Sequence, residues 1–225
     1  MRQLFHVVAV ALILLGAGRA SAQSVTYTFE DGTDQGWGDK FSDDASKTFP
    51  IVNIGGSNRM HVLRDGGFQE AERSVGNPAD PLYQALLAAS ADEAGYEISY
   101  DYYINTAEFT GGAGTFLQAG TYVNTGSGYF AQNFPGTGKE IELNSTQLAS
   151  GQIFSGTVTQ TLAAKGFDIP AGETFFRLGL ILNGDGVNQA VYYDNISVRP
   201  VPEPAALALL GVALPLLTMR RRRRA

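Results

Sequence analysis

The stretch Tyr96–Asn105, YEISYDYYIN, puts Tyr96, Ile98, Tyr100, Tyr102 and Ile104 on one side and Glu97, Ser99, Asp101, Tyr103 and Asn105 on the other. A strict period of two over that length is the pattern of a strand with one buried face, and no helix can bury it. The rest of the chain repeats the theme in shorter pieces. Ser24–Glu30 alternates Val25, Tyr27 and Phe29 with polar residues, and Lys47–Ile54 and Arg59–Leu63 flank a Gly55–Asn58 turn. Phe68–Val75, Thr115–Val123, Gly128–Asn133, Lys139–Leu143, Ser155–Leu162, Thr174–Leu182 and Ala190–Val198 complete about ten strands, separated by Gly, Asn, Asp and Pro clusters. One interruption is helical: Asp80 as cap, Pro81 at the first position, then Leu82, Tyr83, Leu86 and Leu87 at helical spacing. Asn144–Ser150 is expected to form a single turn of helix. A parallel α/β fold needs a helix after each strand, which this chain lacks. Two stacked antiparallel sheets remain. The first and last strands both look core-forming and can pair, so the pattern predicts an all-β, antiparallel jelly-roll sandwich with one short helix.

The two ends read differently from this middle. Arg2, the apolar run Val7–Leu15 and the small-x-small Ala20-Ser21-Ala22 predict a cleaved signal peptide over 1–22, with Gln23 opening the mature protein; an uncleaved N-terminal helix is the competing reading. At the other end stand Pro202-Glu203-Pro204, an apolar run Ala205–Met219, and five arginines, Arg220, Arg221, Arg222, Arg223 and Arg224. Fifteen residues, with Pro215 among them, fall short of the roughly 20 a full membrane span needs. The arginines would stop transfer and stay beside anionic headgroups. The jelly-roll domain is therefore expected over 23–199, and a terminal segment with a hydrophobic helix over 200–225. Without these ends, 9 basic residues face 21 acidic ones, a net charge of −12. That argues against nucleic acid as a partner, because phosphate contacts need clustered Lys and Arg. Cysteine is absent, so neither disulfides nor thiolate metal sites hold the fold.

The tail, by Pro202, Glu203, Pro204, its apolar run and its arginine cluster, resembles the PEP-CTERM sorting domain. The resemblance covers only the tail. It implies export across the inner membrane, recognition by an exosortase, cleavage near the Pro-Glu-Pro motif, and delivery to the cell surface or an exopolysaccharide matrix. An ordinary tail anchor is the competing reading. The opening FEDGTDQGW (Phe29–Trp37) and the closing VYYDNISV (Val191–Val198) together resemble the ends of jelly-roll carbohydrate-binding-module-like domains. That resemblance implies a structural calcium ion held by an acidic residue after the first strand and an aspartate in the last, here Glu30 and Asp194. Calcium wants six to eight hard oxygens, so carboxylates meeting at strand ends suit it; simple turn hydrogen bonds are the alternative.

A glycan platform needs exposed aromatics beside polar groups. Trp37 and Tyr103 are the first candidates, Tyr103 because it shares a polar face with Asp101 and Asn105, and Tyr122, Tyr129 and Tyr193 follow. Catalytic signals are thin. His61 is the one histidine outside the signal segment, and its strand setting reads as structural. Glu97 and Asp101 on one strand face are roughly 13 Å apart by the strand rise, too far for glycoside hydrolysis. Glu140 and Glu142 are expected on one solvated face. Asp185, in Asn183-Gly184-Asp185-Gly186, reads as part of a Gly-rich hairpin turn, since no EF-hand or calcium-repeat spacing surrounds it. The sequence thus points to an exported, non-enzymatic, structural or adhesive matrix protein. Binding of extracellular polysaccharide is the alternative, and glycoside-active catalysis a third.

Overall fold

The computed structural model describes residues 23–39, 49–64, 68–126, 128–130, 139–166 and 169–201, and there the alternating segments become strands. In chain order they are β1 (Val25–Tyr27), β2 (Gly38–Asp39), β3 (Ile51–Ile54), β4 (Ser57–Leu63), β5 (Phe68–Val75), β6 (Tyr96–Asn105), β7 (Phe116–Thr125), β8 (Gly128–Phe130), β9 (Lys139–Asn144), β10 (Ile153–Thr161), β11 (Phe176–Gly184) and β12 (Ala190–Pro200), with helices α1 (Pro81–Ala89) and α2 (Ser145–Leu148). Ala20 and Ala22, the Pro202-Glu203-Pro204 motif and Arg220–Arg224 lie outside the described residues.

The strands form two antiparallel sheets. The first runs β10-β6-β12-β4-β3, with β1 also on β12; the second runs β2-β5-β11-β7-β8, with β9 also on β7. Strands β4 and β1 share one flank of β12, pairing with Ala190–Tyr193 and Ile196–Val198 respectively. The expected pairing of first and last strands is therefore present. From the first sheet, Ile98, Tyr100 and Ile104 of β6 are buried; from the second, Phe176, Leu178, Leu180 and Leu182 of β11 are too. Burying a side chain of this size contributes about 1.5–3 kcal/mol, and the two rows together make the sandwich interior.

Three local features depart from the sequence pattern for identifiable reasons. Strand β1 ends at Tyr27 rather than Glu30, because Phe29 turns into left-handed backbone (φ 56°) and its carbonyl accepts from the Gly32 N–H at 2.8 Å. The Phe29 ring is fully buried, which anchors that turn. Glu140 does not share a solvated face with Glu142. The pairing of β9 with β7 shifts between Ala119 and Gly120, and a shift of one residue moves a side chain to the other face. Glu140 consequently accepts from Tyr100 of the first sheet and Thr121 of the second, both at 2.7 Å, while Glu142 bonds Lys139 and Gln118. Strand β3 begins at Ile51, and the two-residue β2 pairs with β5 in a stretch the pattern leaves as loop.

Helix α1 starts as expected. The Asp80 carboxylate accepts from the Leu82 N–H at 2.8 Å, and its other oxygen takes Arg73 at 2.7 Å, tying the helix start to β5. Leu82, Tyr83 and Leu86 are buried. Helix α2 is one turn, closed by a capping box between Asn144 and Gln147.

Candidate functional site

Pairing register decides which side chains gather on the outside of the first sheet. On β4, Met60 and Val62 are fully buried, so Arg59, His61 and Leu63 take the opposite face. On β12 the buried Val191 and Tyr193 alternate with Tyr192 and Asp194, and on β6 Tyr103 lies opposite the inward Tyr102 and Ile104. His61 pairs with Tyr192, Tyr192 with Tyr103, and Tyr103 with Ser155 of β10. Three rings from three neighbouring strands therefore form one row across the sheet. The spacing of adjacent strands makes the row about 10 Å long.

Within the row the His61 and Tyr192 rings stack, with centroids 4.5 Å apart and planes 14° from parallel. Tyr103 meets Tyr192 edge-on at 5.9 Å and 69°. Tyr192 is the 7 % exposed middle member, and its hydroxyl donates to Glu108 at 2.7 Å. His61 and Tyr103 at the two ends are half-buried and reach the surface. Burial pushes the Tyr192 phenol up, with the Glu108 hydrogen bond adding to it. Burial likewise holds the His61 imidazole below its ordinary value, against an upward pull from Glu108. The Arg59 guanidinium carbon stands 5.6 Å from the Tyr103 ring centre. Polar groups surround the rings: Asn105 donates to Glu108 at 2.9 Å, and Asp101 accepts from Thr157 at 2.5 Å and Asn195 at 2.7 Å.

Next to this row the turn after β1 meets β12. The Ser57 hydroxyl is 3.1 Å from Glu30 Oε1 and 2.6 Å from Asp194 Oδ2, so the two carboxylates named from the sequence converge on one atom. Asn58 adds its N–H to Glu30 Oε1 at 3.2 Å and its side-chain amide to the Glu30 carbonyl at 3.3 Å. A bulge makes this possible. Between Asp194 and Ser197, β12 carries one residue more than β6, and the extra residue, Asn195, is left-handed (φ 50°). Its N–H closes on Asp194 Oδ1 at 2.7 Å. Asp194 is 2 % exposed, and the Ser57 hydroxyl and the Asn195 N–H that bond it are neutral donors. Two carboxylates, a hydroxyl and a backbone carbonyl form a hard-oxygen donor set that fits calcium if water completes the shell. No group of three or more His, Cys, Asp or Glu side chains capable of holding a metal forms among the described residues.

Other candidates are placed elsewhere. Trp37 is 1 % exposed and packs edge-on against Tyr27 at 5.7 Å, so it is a core residue and offers no face to a sugar. Tyr193 is buried inside the sandwich against Tyr100. Tyr122 is on the outer face of the second sheet yet fully buried, its ring over Gly179. Tyr129 belongs to β8, and its side chain lies outside what the structure describes. The Tyr122 hydroxyl contacts Glu70 at 2.9 Å and Glu72 at 3.1 Å, a carboxylate pair the sequence reading passed over; Glu70 is itself buried. Glu97 pairs with Arg199 at 2.7 Å. Asp185 is not in a hairpin turn, because β11 and β12 belong to different sheets; it clasps the neighbouring loop, accepting from the Thr115 and Phe116 N–H groups at 2.7 and 3.1 Å and from the Thr115 hydroxyl at 2.6 Å.

No family model matches the chain, and no curated protein does either. Solved structures do. A carbohydrate-binding module specific for non-crystalline cellulose, CBM28, is 15 % identical at a TM-score of 0.52, over 80 % of this chain and 93 % of that one. CBM27-1 of Caldicellulosiruptor saccharolyticus, solved with mannohexaose, is 14 % identical at a TM-score of 0.47, over 81 % of this chain and all of that one. The CBM22-1 xylan-binding domain from Paenibacillus barcinonensis is 13 % identical at 0.44, over 82 % and 99 %. At 15 % identity the likeness to CBM28 shows the fold alone, an antiparallel jelly-roll β-sandwich.

Proposed function

We propose that this protein binds extracellular polysaccharide, and that the outer face of its first sheet is the binding surface. The observation that carries this reading is the row His61–Tyr192–Tyr103, with a half-exposed ring at each end and polar groups around it. Flat apolar ring faces suit the C–H faces of sugars, while neighbouring amides, hydroxyls and carboxylates suit their hydroxyl groups. Attachment to a matrix would then follow from binding rather than from catalysis. The fold shared with the CBM28 module supports the reading and makes non-crystalline cellulose one ligand to try.

Two further parts of the proposal are independent of that surface. The first is delivery: a signal peptide over 1–22 and a PEP-CTERM-like tail would take the protein across the inner membrane and, through an exosortase, to the surface or matrix. Intact mass of the surface form tests this, and retention of Arg220–Arg224 there would refute it. The second is a structural calcium ion, held by Glu30 and Asp194 with help from the Ser57 hydroxyl and the Glu30 carbonyl, which would brace the chain ends in a domain without cysteine.

Affinity electrophoresis in gels carrying single polysaccharides tests the binding surface. The wild-type protein is expected to be retarded by at least one polysaccharide. Tyr103→Ala should weaken that binding at least about tenfold, equivalent to about 1.4 kcal/mol, with the melting temperature held. Free migration of the wild type in every gel would overturn the reading.

A further inference from the structure

We infer that the glycan taken by this surface is acidic, and that Arg59 receives a sugar carboxylate there. The inference rests on the binding surface just proposed and names the chemical class of its ligand. It starts from an imbalance among the described arginines. Arg73 has Asp80 at 2.7 Å, Arg199 has Glu97 at 2.7 Å, Arg177 has Glu72 at 3.7 Å, and Arg64 donates to the Gly186 carbonyl. Arg59 has none of these. Its Nε is buried without a hydrogen-bond partner, as are those of Arg73 and Arg177, but among the described residues its guanidinium has only the Tyr103 ring as a contact. In a domain where acids outnumber bases by more than two to one, a guanidinium left without a carboxylate stands out.

The acidic groups of the neighbouring strands and turns are already engaged, Glu30 among them through Ser57 and Asn58. Asp194 is bound by Ser57 and by the Asn195 N–H, Asp101 by Thr157 and by the Asn195 amide, and Glu108 by Tyr192 and Asn105. Arg59 thus adjoins the aromatic row with its polar end uncommitted. A guanidinium presents a rigid donor fork that matches a carboxylate, and a ring at its side holds the fork in place. A sugar resting on Tyr103 and carrying a carboxyl group would be met by both. The net charge of the domain works against an acidic polymer. The part of that repulsion that comes from distant charges is screened beyond about 8 Å at physiological ionic strength; Asp194, Asp101 and Glu108 act at shorter range, and the direct guanidinium–carboxylate contact has to outweigh them.

The test compares polymers with the same ring and different charge. Wild-type protein and the variants Arg59→Gln and Arg59→Lys are titrated with polygalacturonate, its fully methyl-esterified form, polymannuronate, and a panel of neutral glucans, mannans, xylans and galactans. The expected result is binding of a uronate polymer about tenfold to a hundredfold tighter than its neutral counterpart, the range of a charged hydrogen bond. Arg59→Gln should erase that preference while leaving the melting curve unchanged, and Arg59→Lys should keep part of it. Equal binding of acid and ester, or binding of neutral polymers alone, would overturn the acidic ligand and leave the aromatic surface standing. Binding of no polysaccharide at all would overturn both.

Discussion

Replacing Gly179 by Ala should cost this domain several kcal/mol, although the site is in the middle of a strand. On propensity alone the change would help, since Gly in a strand interior is worse than Ala by about 0.5–1 kcal/mol. The geometry reverses the sign. A Cβ at Gly179 would stand 2.0 Å from Cε1 and 2.1 Å from Cζ of Tyr122, where carbon atoms prefer about 3.5–4.0 Å. The ring would have to move by about 1.5 Å to reach that spacing. It is pinned at its far end, because the hydroxyl sits 2.9 Å from Glu70 and 3.1 Å from Glu72. Overpacking costs about 1–3 kcal/mol, and losing a hydrogen bond to a charged group costs about 1.5–3 kcal/mol. A net loss of about 3 kcal/mol lowers the melting temperature of a domain this size by about 6–12 °C. Thermal unfolding followed by circular dichroism reads the shift. The same substitution in a Tyr122→Ala background should cost much less, because the clashing ring is gone. A melting point unchanged in Gly179→Ala, or equal losses in both backgrounds, would refute the reasoning.

Four more outcomes follow. In calcium the melting temperature should rise above that in chelator, by an amount that reaches about 2.7 kcal/mol at a hundred times the dissociation constant. Asp194→Asn should abolish the rise, and coincident wild-type curves would reject the ion. His61 has its folded-state value below the ordinary one because of burial, so the unfolded chain binds more protons between the two values and stability rises with pH there. Its contribution is fully present above about pH 6.5 and is lost as pH falls through the folded value; His61→Gln should flatten that part of the melting profile, and an identical profile would argue against it. Trp37 is buried in the core, so its fluorescence should be blue-shifted and unmoved by saturating glycan, and a large spectral change on binding would contradict its placement. Asp185→Ala strips an acceptor from three donors of the Thr115–Phe116 loop and should cost about 1–2 kcal/mol, in the manner of a lost cap, as read by denaturant unfolding.

The fold was legible wherever the period of two ran unbroken. Strand β6 has the predicted bounds, α1 begins at its predicted cap, and β1 lies on β12 as two core-forming ends should. What the sequence concealed was local register. The faces of Glu140 and Ser197 depend on shifts in pairing that only the partner strands reveal. The candidate site was half visible. Tyr103 was read from its polar face, and Glu30 and Asp194 from a resemblance at the chain ends. Tyr192 was passed over in favour of Tyr193, although the parity that puts Asp194 outside puts Tyr192 there and Tyr193 within. The same parity along Arg59–Leu63 shows His61 on the surface opposite Met60 and Val62. Trp37 misled for a physical reason: a Gly-rich loop suggests exposure, yet that loop folds its largest ring inward against Tyr27.

Amide chemical-shift mapping with a bound oligosaccharide decides which face of the sandwich meets the glycan. With binding on the first sheet, the largest shifts fall on Arg59–His61, Tyr103–Asn105 and Ala190–Asp194, neighbours in that sheet. Shifts concentrated instead on Gln118–Asn124 and Arg177–Asn183 would place the ligand on the second sheet and contradict the proposed surface.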